Sequence, residues 1–445
     1  MEPSYDHLDQ NFQRYTDFDP LVPVWKVSIG TKPTIHRFFD TSPLSPSGRY
    51  LALTEFETDK RPPEIGESAE VVVIDLKSGG VVFRRKTFGW DTQLGAQVQW
   101  GTDDSCLLFN DMDTMTWTPY GVVANIQNGS ERHLEFTIYM ASHDGREALS
   151  PCLRRIANTQ PGYGVNVPPE FRPEFKGAST EDGVYRIDLE TGAARLWLSV
   201  SEILEKLPDH FTNEEAKSGD FYVFHVKWSP DDTLVMIVLR RRLANGKQKT
   251  WLICADRDGK NMYLTLGPEQ WLGGHHPNWC PNSKDIIMNV VLPFRRGLMN
   301  NLTATAIKIL HRAGFKLLSS PFSLRFVKFR YDGSNFTQLS ETFLGSGHPT
   351  WNSKKNAILT DAYPHEPMCE GDGSVPIRWI TNNGEEEACL VRMPVTTEYV
   401  GPQASWRVDP HPAWDRTQSF VVINGAPNGQ RSVFLLDMTK ISENS

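Results

Sequence analysis

Four histidines recur in one local pattern: His225 in "HVKWSPDDTLVMIVL", His276 in "HPNWCPNSKDIIMNV", His348 in "HPTWNSKKNAILTDA" and His411 in "HPAWDRTQSFVVING". Each is followed three positions on by a tryptophan, then by a polar turn and an apolar run. Neutral imidazole is the commonest protein ligand for transition metals and a proton acceptor near neutral pH. If the fold stacks the four units around an axis, His225, His276, His348 and His411 occupy equivalent positions. The chemistry they offer is then a divalent metal ion (Zn, Mn or Ca) held by three or four of them, since several buried imidazoles without partners are costly. The competing reading is that each imidazole bonds a carbonyl of the neighbouring unit and is structural.

The stretch "GGHHPNWCPNSKD" also places Cys280 near His276, but on an extended strand the two stand about 13 Å apart at roughly 3.3 Å per residue, so no Cys/His pair is expected. The same alternation predicts that His275 points away from His276. Trp100, Trp228, Trp279, Trp351 and Trp414 read as packing between units.

The elements that position these residues follow from the repeat itself. Weaker copies begin near Thr41, Gln97 and Ile138, giving seven units with starts near 41, 97, 138, 225, 276, 348 and 411. Each unit reads as a short strand, a polar turn and a second strand, with two further strands separated by Asp/Asn/Gly turns, as in "VYRIDLETGAARLWL". Four short strands per unit is the pattern of a propeller blade. The fold class is therefore all-β: a seven-bladed β-propeller with four-stranded blades, one domain spanning residues 1–445. The last unit runs one strand short, while Val22–Gly30, "VPVWKVSIG", is a spare strand. Closing the ring with it removes exposed edges.

Two unusually long connections fall between second and third strands, on the face that carries the histidines. Residues 156–182 are too rich in Pro and Gly for regular structure, and residues 293–322 contain "LTATAIKILHRAGF", which reads as a short amphipathic helix over the site. Function tends to sit on such loops.

With 39% hydrophobic and 22% charged residues and a net charge of −8, the composition is globular and excludes the basic balance of a nucleic-acid binder. No apolar run reaches the roughly 18 residues of a membrane span, so no membrane partner is expected. Residues 1–6 lack the basic start and apolar run of a signal peptide, so a cytoplasmic location is the expectation as numbered, and a secreted or periplasmic one if a signal peptide has been removed. The six cysteines are scattered without a CxxC, which points to free thiols, and the sequons at Asn128, Asn301 and Asn335 are then chance matches.

The units "HVKWSPDD", "GGHHPNWCPNSKDIIMN", "GSGHPTWNSKKNAILTDAYP" and "RVDPHPAW", with "PGYG" in the first long connection, resemble the propeller-type polysaccharide lyases, namely the oligogalacturonate lyases and ulvan lyases. The resemblance implies β-elimination on a uronic acid. Its chemistry requires a cation to neutralise the carboxylate, a base for the C5 proton and an acid for the leaving oxygen. It implies an anionic oligo- or polysaccharide partner, and a role for His225 as metal ligand or as base. It further implies a catalytic Tyr163, in "PGYG", and a downstream arginine for the carboxylate, assigned to Arg172 with Arg155 and Lys176 as alternatives.

One departure stands out: the ulvan lyases have a histidine near the position of Gln97, and glutamine accepts no proton. Either Tyr163 performs both proton transfers, or His225 is the base, or activity is reduced or directed at another polymer. Arg240–Arg242 and Arg295–Arg296, at the ends of second strands, would make the histidine face basic despite the acidic whole. A non-catalytic, TolB-like propeller binding a glycan or a protein is the alternative from another class. A hydrolase is weaker, because neither a carboxylate pair nor a GxSxG nucleophile presents itself.

Overall fold

The computed structural model of the protein describes residues 6–160, 162–293, 322–395 and 406–441. Seven antiparallel sheets ring an axis as the seven blades of a β-propeller: six are four-stranded with their strands in sequential order, and the seventh joins strands from both ends of the chain. Blade 4 shows why the repeat folds this way. Its strands are Asp220–Trp228, Leu234–Arg242, Gln248–Asp256 and Met262–Leu266. The run from Leu234 to Leu239 is buried throughout, as expected of a strand covered on both faces by neighbouring blades. The polar turn before it is closed by Asp231, whose Oδ1 accepts from Ser229 Oγ at 2.7 Å and from the Thr233 amide at 3.1 Å.

The repeat tryptophans do more than fill space between blades. Trp100 Nε1 donates to the Pro43 carbonyl at 2.9 Å, Trp279 Nε1 to the Lys227 carbonyl at 3.3 Å, and Trp414 Nε1 to Thr350 Oγ1 at 2.9 Å. Each bond reaches back to the preceding blade, and a buried bond of this kind contributes about 1 kcal/mol.

Closure uses the N-terminal strand. Val24–Lys26 pairs antiparallel with Ser432–Asp437, with Trp25 opposite Leu435, and so completes the blade begun by the last repeat. A further strand, Gln13–Arg14, adds to its outer edge, where the Arg14 guanidinium lies 4.0 Å from the Trp25 ring centroid.

In the first blade the innermost strand is Thr34–Ile35, ahead of Thr41. Residues 36–41, "HRFFDT", then enter the axis. The first long connection is partly regular, contrary to the expectation from its composition. Leu153–Thr159 is a helix, with Leu153, Ile156 and Thr159 buried, and Pro169–Phe171 forms a turn of 3-10 helix. Gly164 is left-handed (φ 79°), and a Cβ there would collide with the Leu153 carbonyl, so "PGYG" can fold back onto this helix only with glycine. Between blades 3 and 4 stand two more helices, Val200–Lys206 and Asn213–Ser218, each opened by a capping box, Ser199 with Glu202 and Thr212 with Glu215. The helix expected within 302–315 lies outside the described residues, as do Arg295 and Arg296. All six cysteines are free, and among the described residues no helix is long and apolar enough to cross a membrane.

Candidate metal centre

The inner strands are bent where the histidines sit. His276 (φ 61°), His411 (φ 49°) and Gln97 (φ 58°) have left-handed backbones, and in blade 5 the ladder skips from His275 to Asn278. Such conformations cost about 1–3 kcal/mol each and concentrate at functional sites. The bend overturns the expectation that His275 points away from His276. Alternation holds only for extended backbone, and here the two rings stand side by side with centroids 4.4 Å apart.

The repeat histidines do not form one four-membered cage. His276 and His348 have ring centroids 3.9 Å apart, and His348 and His411 4.4 Å. His225 stands off from this row: it stacks on Phe38 at 5.7 Å, and its Nδ1 is hydrogen-bonded to Tyr139 Oη. Phe38 fills the axis, with its ring 5.8, 5.5 and 4.7 Å from those of His276, His348 and His411.

Beside that plug, His348, Asp409 and His411, all buried, bring ligand atoms within 4.8 Å of one another. Asp409 was not among the residues singled out from the sequence. His348 is oriented by Asp361: its Nδ1–H donates to both carboxylate oxygens at 3.0 Å, while its buried Nε2 has no partner. Asp361 also accepts from the backbone amides of His348 (2.7 Å) and His411 (3.0 Å), so one carboxylate sets both rings. A histidine held by a carboxylate on one nitrogen and open on the other is how metal-ligating imidazoles are arranged. Both ring nitrogens of His411 and Nδ1 of His276 are likewise buried and unpartnered, while His276 Nε2 bonds Tyr363 Oη at 2.9 Å.

Burial, with the neighbouring His348, drives His276 and His411 well below the ordinary histidine range, and burial pushes His275 down to about 3. These rings are therefore neutral near pH 7, the state in which imidazole binds metal. Unpartnered buried nitrogens are expensive. The donor set of two imidazoles and a carboxylate fits a divalent ion of the Mn or Zn kind better than Ca, which takes oxygen ligands.

The other sequence-derived residues are placed as follows. Tyr163 is buried, with its ring centroid 5.5 Å from that of Phe224, and burial pushes its phenol up to about 12. Phe224 lies beside His225, at 3.9 Å between centroids, and carries the Arg240 guanidinium 3.7 Å over its ring. Tyr163, His225 and Arg240 thus flank one aromatic side chain. Arg172 is engaged in its own loop, its Nε donating to the Val167 carbonyl at 3.1 Å. The charged groups that act on the Tyr163 phenol are instead Arg407, Asp409, Asp91 and Arg240. Arg155 is an anchor, bonded to Asp220 and to the Phe175 carbonyl (3.3 Å), and Lys176 is exposed.

Of the expected basic patch, Arg241 is neutralised by Glu215 (2.6 Å) and Arg242 by Asp220 (2.7 Å). Arg240 keeps a buried Nε without a partner, although its Nη1 donates to Gln160 at 3.1 Å. Arg407 Nε donates to both Asp409 oxygens, at 2.9 and 2.7 Å.

Gln97 belongs to the plug, where its side-chain oxygen accepts from Arg37 Nε at 3.4 Å. Below Phe38, Asp40 meets Arg37 and Lys227, each at 2.8 Å, with all three side chains buried. Burial works against the charge on Asp40, yet Lys227 and Arg37 hold its carboxyl well below the usual range. No repeat or motif announced this cluster.

No family model matches the chain, and no curated protein matches it. Among solved structures it is similar to an oligogalacturonate lyase in complex with manganese, with a TM-score of 0.59 and 14% identity over 96% of each chain. It is equally similar, at a TM-score of 0.59 and 12% identity over 96% of each chain, to an oligogalacturonate lyase from Vibrio parahaemolyticus. At such identities the likeness is one of fold: the chain is a seven-bladed propeller built as those lyases are, with a His/Asp group at its axis suited to a metal ion.

Proposed function

We propose that the protein is a carbon–oxygen lyase that cleaves uronate-containing oligosaccharides by β-elimination, with a divalent metal bound by His348, Asp409 and His411. The observation that carries this reading is His348, locked to Asp361 through Nδ1 and presenting a buried, unpartnered Nε2 toward Asp409 and His411. Manganese is the favoured ion, on the donor set and on the manganese held by the structurally similar lyase.

When bound, the ion supplies positive charge for the substrate carboxylate, which makes the C5 proton more acidic. The chain's own residues do the rest. Arg240 presents a guanidinium to the same carboxylate in place of Arg172, since its buried Nε is open. His225, buried and held neutral mainly by burial, accepts the C5 proton. Tyr163 keeps its proton to about pH 12 and delivers it to the leaving oxygen. Burial of these groups excludes water, which would otherwise screen the charges that drive the elimination.

The test is to incubate the unchelated protein with uronate oligomers and follow ultraviolet absorbance. Elimination leaves an unsaturated uronate that absorbs, whereas a hydrolase or a binding module produces no such signal. Absorbing product that disappears on chelation is the expected result; reducing ends without absorbance would overturn the reading.

A further inference from the structure

Arg407, Asp409 and His411 stand two residues apart in "RVDPH". Arg407 Nε donates to Asp409 Oδ1 at 2.9 Å and to Oδ2 at 2.7 Å. Oδ2 is also the oxygen toward His411, 3.8 Å from its Nε2. The carboxylate that completes the candidate metal centre is thus held by a side-chain cation through the same atom.

The two partners differ in exposure. The Asp409 side chain is 2% exposed and that of Arg407 25%, so the carboxylate is buried and needs a counter-charge, while the guanidinium reaches solvent. Their backbones are fixed: the Arg407 carbonyl accepts from Gln93 Nε2 at 3.0 Å, and the Asp409 carbonyl from Asn424 Nδ2 at 3.3 Å. An exchange of partners therefore falls to the side chains. The guanidinium lies 5.7 Å from the Tyr363 ring centroid and is the leading charge acting on the Tyr163 phenol. It stands, then, beside the residue assigned to the substrate.

One oxygen has lone pairs for two partners, but a divalent ion and a guanidinium gathered about it repel each other strongly in a site of low dielectric. An ion held by His348, Asp409 and His411 therefore weakens the bonds from Arg407 to Asp409. The planar fork that is released matches another carboxylate. We propose that Arg407 is the resident counter-ion of Asp409, that the metal displaces it, and that the displacement turns its charge over to the carboxylate of the sugar. Metal and uronate then bind in that order, and each raises the affinity of the other by the same factor. The proposal rests on the metal-dependent lyase reading and adds how its two ligands are coupled.

The experiment titrates manganese(II) into the wild-type protein, Arg407→Gln and Arg407→Lys, with and without galacturonic acid, a monosaccharide that has no glycosidic bond to cleave. Thermal unfolding confirms that each variant is folded. Lysine keeps the charge but sets a methylene where Nε stands. Both variants are expected to bind manganese about tenfold tighter than the wild type, because a charge-assisted hydrogen bond no longer has to be broken. Galacturonate should raise that affinity less in Arg407→Gln than in the wild type. Weaker manganese binding by both variants would mean that Arg407 orients Asp409 rather than competing for it, and overturns the proposal. Tighter binding by Arg407→Gln alone ascribes the effect to net charge and overturns it too, as does an undiminished galacturonate effect in that variant. No manganese binding by the folded wild type overturns the metal centre together with the proposal. The expected pattern, without absorbing product from uronate oligomers, supports the proposal and overturns the lyase reading.

Discussion

At the scale of single residues, Asp361 orients the His348 and His411 segments, and no repeat position marks it. It lies at the end of a second strand, and its role appears only once that strand is folded beside His348 and His411. Asp361→Asn removes the acceptor pair that fixes the His348 tautomer, and metal affinity should fall about 10–100-fold; titration with manganese ions checks this, and unchanged affinity would separate Asp361 from the site. Tyr163→Phe is expected to leave metal content intact and lower turnover by about 10²–10⁴-fold, because the phenol is assigned the leaving-group proton. The raised value of about 12 fixes the sign of its pH dependence. A group whose pKa is raised stays protonated past its ordinary range, so kcat/KM should not decline through roughly pH 9–10, where an unperturbed tyrosine titrates. A limb near 10 would assign the proton to another group.

The repeat histidines were legible because H-x-x-W recurs. Asp409 sits two residues before His411 in "RVDPHP" and carried a signal that the repeat alignment passed over. The row of His276, His348 and His411 could not be told from a ring of four, since nothing local in the sequence says that Phe38 takes the centre.

At the scale of elements, the pleat was the source of both success and error. Continuous apolar runs such as "LVMIVL" identified the second strands, because strands buried on both faces carry no alternation. The same period-two assumption misplaced His275, because His276 leaves the extended region. The helices between blades 3 and 4 went unread although "SVSE" and "TNEE" carry the capping-box spacing, because the connection 156–182 already accounted for the long interval before His225. Gly347 offers an element-level test. It is left-handed (φ 55°), and an added Cβ would press on the Asp361 carboxylate and carbonyl. Gly347→Ala should therefore destabilise the protein by about 1–3 kcal/mol and loosen manganese binding together with it; thermal unfolding and metal titration read the two effects. A variant with wild-type stability and affinity would show that this turn does not support the site.

At the scale of the whole molecule, the ring is closed by a strand from the opposite end of the chain. Trp25 opposite Leu435, with Leu8, Val24 and Val27 buried alongside, joins the first and last parts of the sequence. A protein beginning at Thr31 would expose the edge of Ser432–Asp437, and exposed edges pair with other chains. It should be less soluble and lose cooperative unfolding, as size-exclusion chromatography and calorimetry would show; a stable, monodisperse product would mean that the ring holds without its closing strand.

The closed ring is what lets side chains as distant in sequence as Asp361 and His411, or Tyr163 and Arg407, act on one another. An anionic substrate, as proposed, is compatible with a net charge of −8 because Arg240 keeps an open Nε beside Phe224 and His225. Elemental analysis of the unchelated wild-type protein beside His348→Ala tests whether His348, Asp409 and His411 hold a metal ion. About one equivalent of manganese or zinc per wild-type chain is expected, with loss of that metal in a variant that still folds. Equal metal in both proteins, or none in a folded wild type, would contradict it.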